Sequence, residues 1–289
     1  MTIKVLYVNN GTHHKNHNSI KMYKNITLHE INDIKIIDNL DLKQYECVLS
    51  PSCPIDISKY PNTKFLFGPQ FSIFPDNKLD IIKGPKTAYN LLSDWVIKIW
   101  QSFPICNNLN LVTLPFGVDT EKFIPTKKNS LRTKIMIYFK HRDPSHLYFI
   151  EKFLKEKNED YRVFSYDRRY EETEYLTYLQ ESKFCIWIDA HESQGFALQE
   201  ALSCDVPLLV WNITSMNQEY GCNYDDFKAT TTPYWDNKCG EIFYDRCDFE
   251  GSYNRFIERL ETYNPREFIL ENLSVDVCEN RFIKYINNM

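Results

Sequence analysis

One stretch of the chain, residues 184–211, limits the possible folds more than any other. It opens with an apolar run at 184–188, which is too short for a typical helix and has the length of a buried strand. Good helix formers follow Gly195 and stop at 205–207, and a second apolar run occupies 207–211. This order of strand, loop, helix and strand predicts a βαβ unit, and therefore a parallel sheet in an α/β fold.

Two glutamates frame the start of the predicted helix. Glu192 lies in the loop before it, and Glu200 lies about five residues inside, or about one and a half turns away. A helix N-terminus presents unpaired N–H groups that bind phosphates or sugar hydroxyls, and Gly195 lets a ligand approach the backbone closely. One carboxylate can then face the reacting end of a ligand while the other accepts hydrogen bonds from paired hydroxyls. On spacing alone, two solvated surface glutamates remain an equal alternative.

Residues 191–200 resemble the glutamate-x7-glutamate signature of the group 1 family of retaining glycosyltransferases, which have the GT-B fold. The resemblance implies that Glu192 lies beside the donor sugar and that Glu200 holds the nucleotide ribose. In that family, the backbone between the two glutamates faces the diphosphate and the sugar. The matching donor-binding positions here are Ser193, Gln194, Gly195, Phe196 and Ala197.

A second motif, at residues 114–125, is similar to the inter-domain segment of the same family, with Phe116 in place of the usual asparagine. Both motifs occur in the family's order. Together they imply two facing Rossmann-like domains with parallel sheets, a nucleotide sugar in the cleft, and a C-terminal helix that crosses back to the first domain. We expect a shortened acceptor-side domain at 1–122 and a donor-binding domain with closing helices at 123–289.

Strand and helix patterns alternate through both halves, which predicts doubly wound parallel sheets without reference to any family. In the first half, the predicted strands are at 3–8, 34–37, 47–49, 64–67 and 109–114, with a helix at 90–100. In the second half, further strands are predicted at 134–139 and 161–167, and helices at 145–155, 171–182, 253–260 and 265–286.

The loop after the first predicted strand is a second candidate site, because ligands of doubly wound sheets bind beyond the carboxyl ends of the strands. Gly11 and Thr12 loosely match the glycine-rich loop that faces the donor phosphates in the family. His13 follows them and is a candidate for assisting a leaving phosphate or contacting the sugar. A solvated polar loop is the alternative interpretation.

Basic residues follow the strand at 134–139. Lys and Arg form strong charged hydrogen bonds to phosphate, and the family carries both residue types here to stabilise the departing nucleoside diphosphate. The matching residues are Lys140 and Arg142, although a solvated basic turn would have the same pattern. Tyr166, at the end of the strand at 161–167, is expected near the nucleotide base.

The composition and charge of the chain limit the classes of binding partner that we expect. A net charge of −5 gives no nucleic-acid footprint, and no apolar run approaches the roughly 20 residues of a membrane span. Nine scattered cysteines without a C-x-x-C pair argue against a zinc site or a disulfide framework. The resemblance implies a fold that needs no metal, so we expect no metal and no cofactor. The absence of a signal-peptide pattern predicts a cytoplasmic protein. The Asn, Ile, Lys and Tyr content is typical of a large DNA virus, with the host cytoplasm then expected, or of a low-GC microbe.

The resemblance implies a glycosyltransferase that moves a hexose from a UDP- or GDP-linked sugar to the hydroxyl of a glycan or another acceptor, with retention and without a metal. Two carboxylates also occur in glycoside hydrolases, but their placement at a helix start near a basic turn favours nucleotide binding. Because the first predicted domain is short for the family, a catalytically weak nucleotide-sugar-binding subunit or scaffold is the alternative. The base, sugar, acceptor, linkage and oligomeric state stay open.

Overall fold

A computed structural model describes residues 2–289, which form two compact α/β units, each with its own parallel sheet. The first unit comprises the chain through Gly117 and the returning segment Val275–Met289, and the second unit is Val118–Ser274. The predicted boundary after residue 122 lies a few residues beyond Gly117, and the C-terminal helix that was expected to cross back to the first domain lies in Val275–Met289, within the first unit. No helix among the described residues has the length and apolar character that crossing a bilayer requires.

The sheet of the first unit has six parallel strands in the order β2-β1-β3-β4-β5-β6. The strands are β1 (Ile3–Val8), β2 (Ile26–Ile31), β3 (Cys47–Ser50), β4 (Phe65–Phe67), β5 (Thr87–Asn90) and β6 (Leu111–Val112), with helices α1 (His14–Lys21) and α2 (Asp94–Gln101). The central strands are almost fully buried, as expected for a parallel sheet that is covered on both faces.

Two predictions for the first unit are wrong. The strand predicted at 34–37 is a 3-10 helix, because the Asp33 carboxylate caps it by accepting the Lys35 N–H. The actual edge strand, β2, alternates between buried and exposed residues instead of forming an apolar run. The helix predicted from Asn90 begins at Asp94, since the buried Asn90 side chain ends β5 by bonding both backbone groups of Leu114.

The sheet of the second unit has five parallel strands in the order β11-β10-β9-β7-β8. They are β7 (Lys134–Lys140), β8 (Tyr161–Ser165), β9 (Ser182–Asp189), β10 (Leu208–Trp211) and β11 (Gly240–Phe243). The helices are α3 (Pro144–Glu156), α4 (Glu172–Glu181), α5 (Phe196–Ser203), α6 (Phe249–Glu258) and α7 (Pro265–Asn272). Aliphatic residues of β7 and β9 form the centre of the core, and aromatic residues of α6 cover one face.

The helix predicted at 265–286 is two helices, α7 and α8 (Val275–Asn288). The break lies at Leu273 and Ser274, where the Leu273 carbonyl accepts the Val118 N–H at 2.8 Å. Ser274 also forms a β-bridge with Val118, so the returning chain is held in an extended form that a continuous helix would not allow. Helix α8 then packs on the first unit, where its Glu279 accepts the Asn25 backbone N–H at 2.5 Å.

Candidate functional site

The adjacent strands β7 and β9 bring three ionisable side chains together at their carboxyl ends. Lys140 ends β7 and is paired in register with Asp189, which ends β9. The Lys140 ammonium forms an ion pair with the Glu192 carboxylate and lies 4.0 Å from Asp189 Oδ1. The exposed fractions of the Lys140, Glu192 and Asp189 side chains are 17%, 18% and 2%, so the cluster is largely shielded from water.

The structure thus joins two residues that the sequence singled out, Lys140 and Glu192, and adds Asp189. Sequence reasoning missed Asp189, although a carboxylate directly after the apolar run at 184–188 was a usable signal. Burial raises the pKa of Asp189, and the Glu192 charge raises it further. Burial also acts to raise the pKa of Glu192, but the Lys140 ammonium outweighs burial and lowers it. Burial disfavours the Lys140 cation, yet the two carboxyls outweigh it and raise the pKa of Lys140.

Helix α5 begins directly beyond this cluster. Gly195 is the residue before the helix and has φ +80° and ψ 55°, a left-handed conformation that favours glycine. Gln194 and Gln199 tie the turn to the helix, since the Gln199 amide donates to the Gln194 carbonyl at 2.7 Å and their side chains also bond. Glu200 is buried inside the unit with 4% exposure, so the surface-glutamate alternative is wrong for this residue.

The other predicted donor-binding positions of this turn differ in exposure. Ser193 is exposed, whereas Phe196 and Ala197 are half-buried. The Ala197 carbonyl accepts a hydrogen bond from the Tyr175 hydroxyl at 2.7 Å, which anchors the first turn of α5 to α4. The start of α5 is therefore a rigid feature of the unit, with Ser193 as its most solvent-accessible side chain.

Arg142 joins two strand ends inside the unit. Its guanidinium is 2% exposed and donates from Nη1 to the carbonyls of Asp189 at 2.9 Å and Trp211 at 3.0 Å. Burial lowers the pKa of Arg142 to about 10. The solvated basic turn that the sequence also allowed is therefore wrong for Arg142, which is a structural link between the ends of β9 and β10.

A histidine–carboxylate cluster borders the site. Glu219 lies 2.8 Å from His191 Nε2 and 3.3 Å from His141 Nδ1, and His141 Nε2 lies 3.4 Å from Asp167 Oδ1. Burial lowers the pKa of His191, although Glu219 opposes this effect. Sequence reasoning missed these residues because Glu219 is far from both histidines in the chain.

Tyr166 lies beside the same group, at the end of β8. Its ring is half-exposed, and its centroid lies 5.0 Å from Lys140 Nζ and 5.5 Å from the ring centroid of His141. The structure thus places Tyr166, Lys140 and Glu192 in one contiguous patch. An exposed aromatic ring beside a cation is suited to stacking on a planar ligand group.

A polar network behind β10 supports the loop that carries Glu192. The buried Asn212 side chain accepts hydrogen bonds from the Thr230 hydroxyl at 3.0 Å and the Thr231 N–H at 2.7 Å. The Thr230 carbonyl in turn accepts the Glu192 N–H at 3.1 Å, and the Thr231 hydroxyl donates to the Asp189 carbonyl at 3.1 Å. Asn212 therefore fixes the segment on which the backbone of Glu192 rests.

The predicted loop after β1 belongs to the first unit. Gly11 has φ +74° there, and a Cβ added to it would meet nothing within 4 Å, so the backbone conformation alone favours glycine. Thr12 follows it, and the His13 N–H donates to Gln70 Oε1 at 2.9 Å. The His13 side chain is exposed, with its ring centroid 4.5 Å from that of His14.

Within residues 2–289, no group of three or more His, Cys, Asp and Glu side chains is arranged to hold a metal ion. The chain matches no protein-family model and no curated protein sequence. It is similar to solved structures, including sucrose-phosphate synthase from Thermosynechococcus elongatus, with a TM-score of 0.59 and 9% identity over 99% of this chain and 98% of that one.

Two further similar structures are larger than this chain. TarM has a TM-score of 0.53 and 14% identity, covering 87% of this chain and 57% of its own. The GtfA/B complex has a TM-score of 0.52 and 12% identity, covering 80% and 54%. At these identities the likeness bears on architecture alone. It confirms the predicted fold class: the chain has the α/β architecture of GT-B glycosyltransferases, with two Rossmann-like units and parallel sheets.

Proposed function

We propose that this chain is a glycosyltransferase that moves a hexose from a UDP- or GDP-linked sugar to an acceptor hydroxyl, with retention at the anomeric carbon and without a metal or other cofactor. The observation that carries the proposal is the Lys140–Glu192 ion pair at the carboxyl ends of β7 and β9, directly before α5. The GT-B fold, which the chain shares with a sucrose-phosphate synthase, supports sugar transfer.

The charges of the second unit suit a departing diphosphate. When the bond between the anomeric carbon and the diphosphate oxygen breaks, the electron pair stays on the diphosphate, whose negative charge therefore grows. Lys140 keeps its cation at neutral pH because its pKa is raised, and the N–H groups at the start of α5 add partial positive charge. Fixed positive charge at the leaving group is a major source of rate enhancement in such transfers.

The two glutamates take different parts in this proposal. Glu192 is ionised, since its pKa is lowered, and it stabilises positive charge that develops at the anomeric carbon. Glu200 is fixed inside α5 and accepts hydrogen bonds from the paired hydroxyls of the ribose. Arg142 holds the strand ends in register, and Tyr166 stacks on the donor.

In this proposal, residues of the first unit contact the acceptor. We assign Gly11, Thr12 and His13, which follow β1, to contacts with the donor phosphates and a glycan or other hydroxyl acceptor. The exposed His13 imidazole is assigned to proton transfer to a leaving phosphate. A cytoplasmic location, and a viral or low-GC microbial source, belong to the same proposal.

Donor binding is the first test, measured by thermal shift with UDP, GDP, ADP and their sugar conjugates. A ligand at about 100 times its Kd stabilises the folded chain by about 2.7 kcal/mol, so one base should give a clear shift. Glu200→Gln should reduce that shift, whereas the matched control Glu156→Gln, on the exposed face of α3, should leave it unchanged. If no nucleotide shifts the wild-type chain, the proposal is wrong.

Transfer is tested with the donor that binds. We expect Glu192→Gln to keep donor affinity and to lower the transfer rate by about two orders of magnitude, because the charge that faces the reacting carbon is lost. An unchanged rate would contradict the role of Glu192. Donor binding without transfer by the wild-type chain, across a panel of sugar and protein acceptors, would instead support the nucleotide-sugar-binding subunit.

A further inference from the structure

Asp189 and Glu192 form a pair of carboxyls beside Lys140, which supplies only one positive charge. Both carboxyls lie beside the same ammonium, since Glu192 forms the ion pair with Lys140 and Asp189 Oδ1 lies 4.0 Å from Lys140 Nζ. Two ionised carboxyls beside one ammonium would leave an unpaired negative charge in a largely shielded site, which favours a proton on one of them. The pair therefore holds a single negative charge, which matches the single positive charge of Lys140.

The surroundings decide which carboxyl holds the proton. The Glu192 side chain is 18% exposed and touches the Lys140 ammonium, whereas the Asp189 side chain is 2% exposed and lies 4.0 Å from Lys140 Nζ. An ion is disfavoured more strongly where it is more deeply buried and farther from its counter-ion. Asp189 Oδ1 is already an acceptor, since it bonds the Ala190 N–H at 2.7 Å, which leaves Oδ2 for the proton.

We propose that Asp189 is a positioning residue that keeps its proton at neutral pH and donates it in a hydrogen bond to Glu192, fixing the Glu192 carboxylate, ionised, against Lys140. Asp189 acts through Glu192 and has no assigned contact with a substrate. The consequence for sugar transfer rests on the proposed function, whereas the protonation state does not.

Other ionisable groups around the pair agree with this arrangement. The groups that face it are Lys140 and Tyr138 of β7, Arg142 after β7, Tyr170 before α4, and His191 beside Glu192. Arg142 Nη1 donates to the backbone carbonyls of Asp189 and Trp211, so these two bonds do not involve the Asp189 carboxyl. Burial keeps Tyr138 and Tyr170 neutral by raising their pKa values, and burial lowers the pKa of His191.

The pair makes the geometry of Glu192 sensitive to alkaline pH. The pKa of the Asp189 carboxyl is raised in the folded chain, so its proton is lost only as the pH rises through that raised value. Two carboxylates then face each other with one ammonium between them, and their repulsion turns Glu192 away from Lys140. We therefore expect the transfer rate to decline at alkaline pH. Asp189→Asn should remove this decline, because its side-chain amide does not ionise.

The protonation state is tested directly by NMR on the full chain labelled with carboxyl-¹³C aspartate. The resonance that disappears in Asp189→Asn belongs to Asp189, and we expect it at the position of a protonated carboxyl at neutral pH. The control Asp245→Asn, at an exposed site, should leave the resonance assigned to Asp189 in place. An Asp189 resonance at the ionised position would overturn the proposal, whether or not the chain transfers sugar.

The functional consequence is tested by the pH profile of transfer. In Asp189→Asn, the side-chain oxygen still accepts the Ala190 N–H and the NH₂ group donates to Glu192 at every pH. We expect a rate within a few-fold of wild type at neutral pH and loss of the alkaline decline. Asp189→Ala has no side-chain donor, and we expect its transfer rate to be lower than that of wild type by about tenfold or more. An alkaline decline in Asp189→Asn equal to that of wild type, or a rate as low as that of Asp189→Ala, would overturn the positioning role.

Discussion

At the scale of single residues, several buried charged side chains of the second unit lie at the carboxyl ends of its strands. Arg142 is the largest of these charged side chains, and its Nη1 donates to two backbone carbonyls, at the ends of β9 and β10. Lys140 is paired with carboxyls instead. Two neighbouring cations of one basic turn therefore have different functions, which residue type alone does not distinguish.

We expect Arg142→Met to lower the free energy of unfolding by about 2–4 kcal/mol, because it leaves the Asp189 and Trp211 carbonyls without their charged donor inside the unit. Arg142→Lys should recover only part of this loss, since the Lys ammonium stands at the position of the Arg Cζ atom, one bond short of Nη1. Urea unfolding curves measure both changes. The exposed Arg168→Met is the control, and equal effects at positions 142 and 168 would contradict the structural role of Arg142.

At the scale of elements, the segment at 230–232 acts as a support for the Glu192 loop. It has no regular secondary structure, and Asn212 supplies hydrogen bonds that a strand partner would otherwise provide. Asn212 directly follows β10, and the Thr231 hydroxyl also bonds the Asp189 carbonyl at the end of β9, so the ends of two strands position the segment.

Asn212→Leu should release this segment while keeping a side chain that branches at Cγ. We expect faster hydrogen exchange at the Thr231 and Glu192 amides, which bond to the Asn212 side chain and the Thr230 carbonyl. Loss of these bonds should also cost about 1–3 kcal/mol of stability. Asn212→Asp keeps the accepting oxygen and should be milder. Unchanged exchange at both amides in Asn212→Leu would show that other contacts hold the segment.

The sequence predicts those elements whose signal is a continuous apolar run. Strands β7, β9 and β10 and helix α5 lie close to their predicted positions, because burial on both faces leaves such runs. Strand β11 was missed, since it contains few apolar residues and begins at Gly240, where a Cβ would lie 2.0 Å from the Leu208 carbonyl oxygen. That requirement for glycine comes from pairing with β10 and has no local signature.

The candidate site was predictable to a similar extent. The spacing around Gly195 pointed to Glu192, and the strand end pointed to Lys140, two residues that the structure brings into contact. The proximity of Asp189 follows from the pairing of β7 with β9, and that of Glu219 from the fold of a later loop. Both depend on tertiary register, which a single sequence does not express.

At the scale of the whole molecule, the chain leaves the first unit at Gly117, builds the second, and returns at Val275. The outgoing segment is anchored within the second unit by Arg266, whose guanidinium donates to the carbonyls of Thr120, Phe123 and Ser203. The first unit is thus made from two distant parts of the sequence. Its stability must depend on the contacts that its last helix makes.

Glu279 is the clearest of these contacts, because it is 1% exposed and accepts both the backbone N–H and the side-chain amide of Asn25. We expect Glu279→Ala to lower the local stability of the first unit by about 1–3 kcal/mol, since the Asn25 donors lose their partner. Hydrogen exchange should then become faster in β1 and β2 and stay unchanged in β9 and β10. The control Glu271→Ala, on α7, removes an exposed ion pair with Lys238 and should alter neither set. Equal acceleration in both sheets would contradict this expectation. It would mean that the two units, although compact in their contacts, unfold together as one cooperative body.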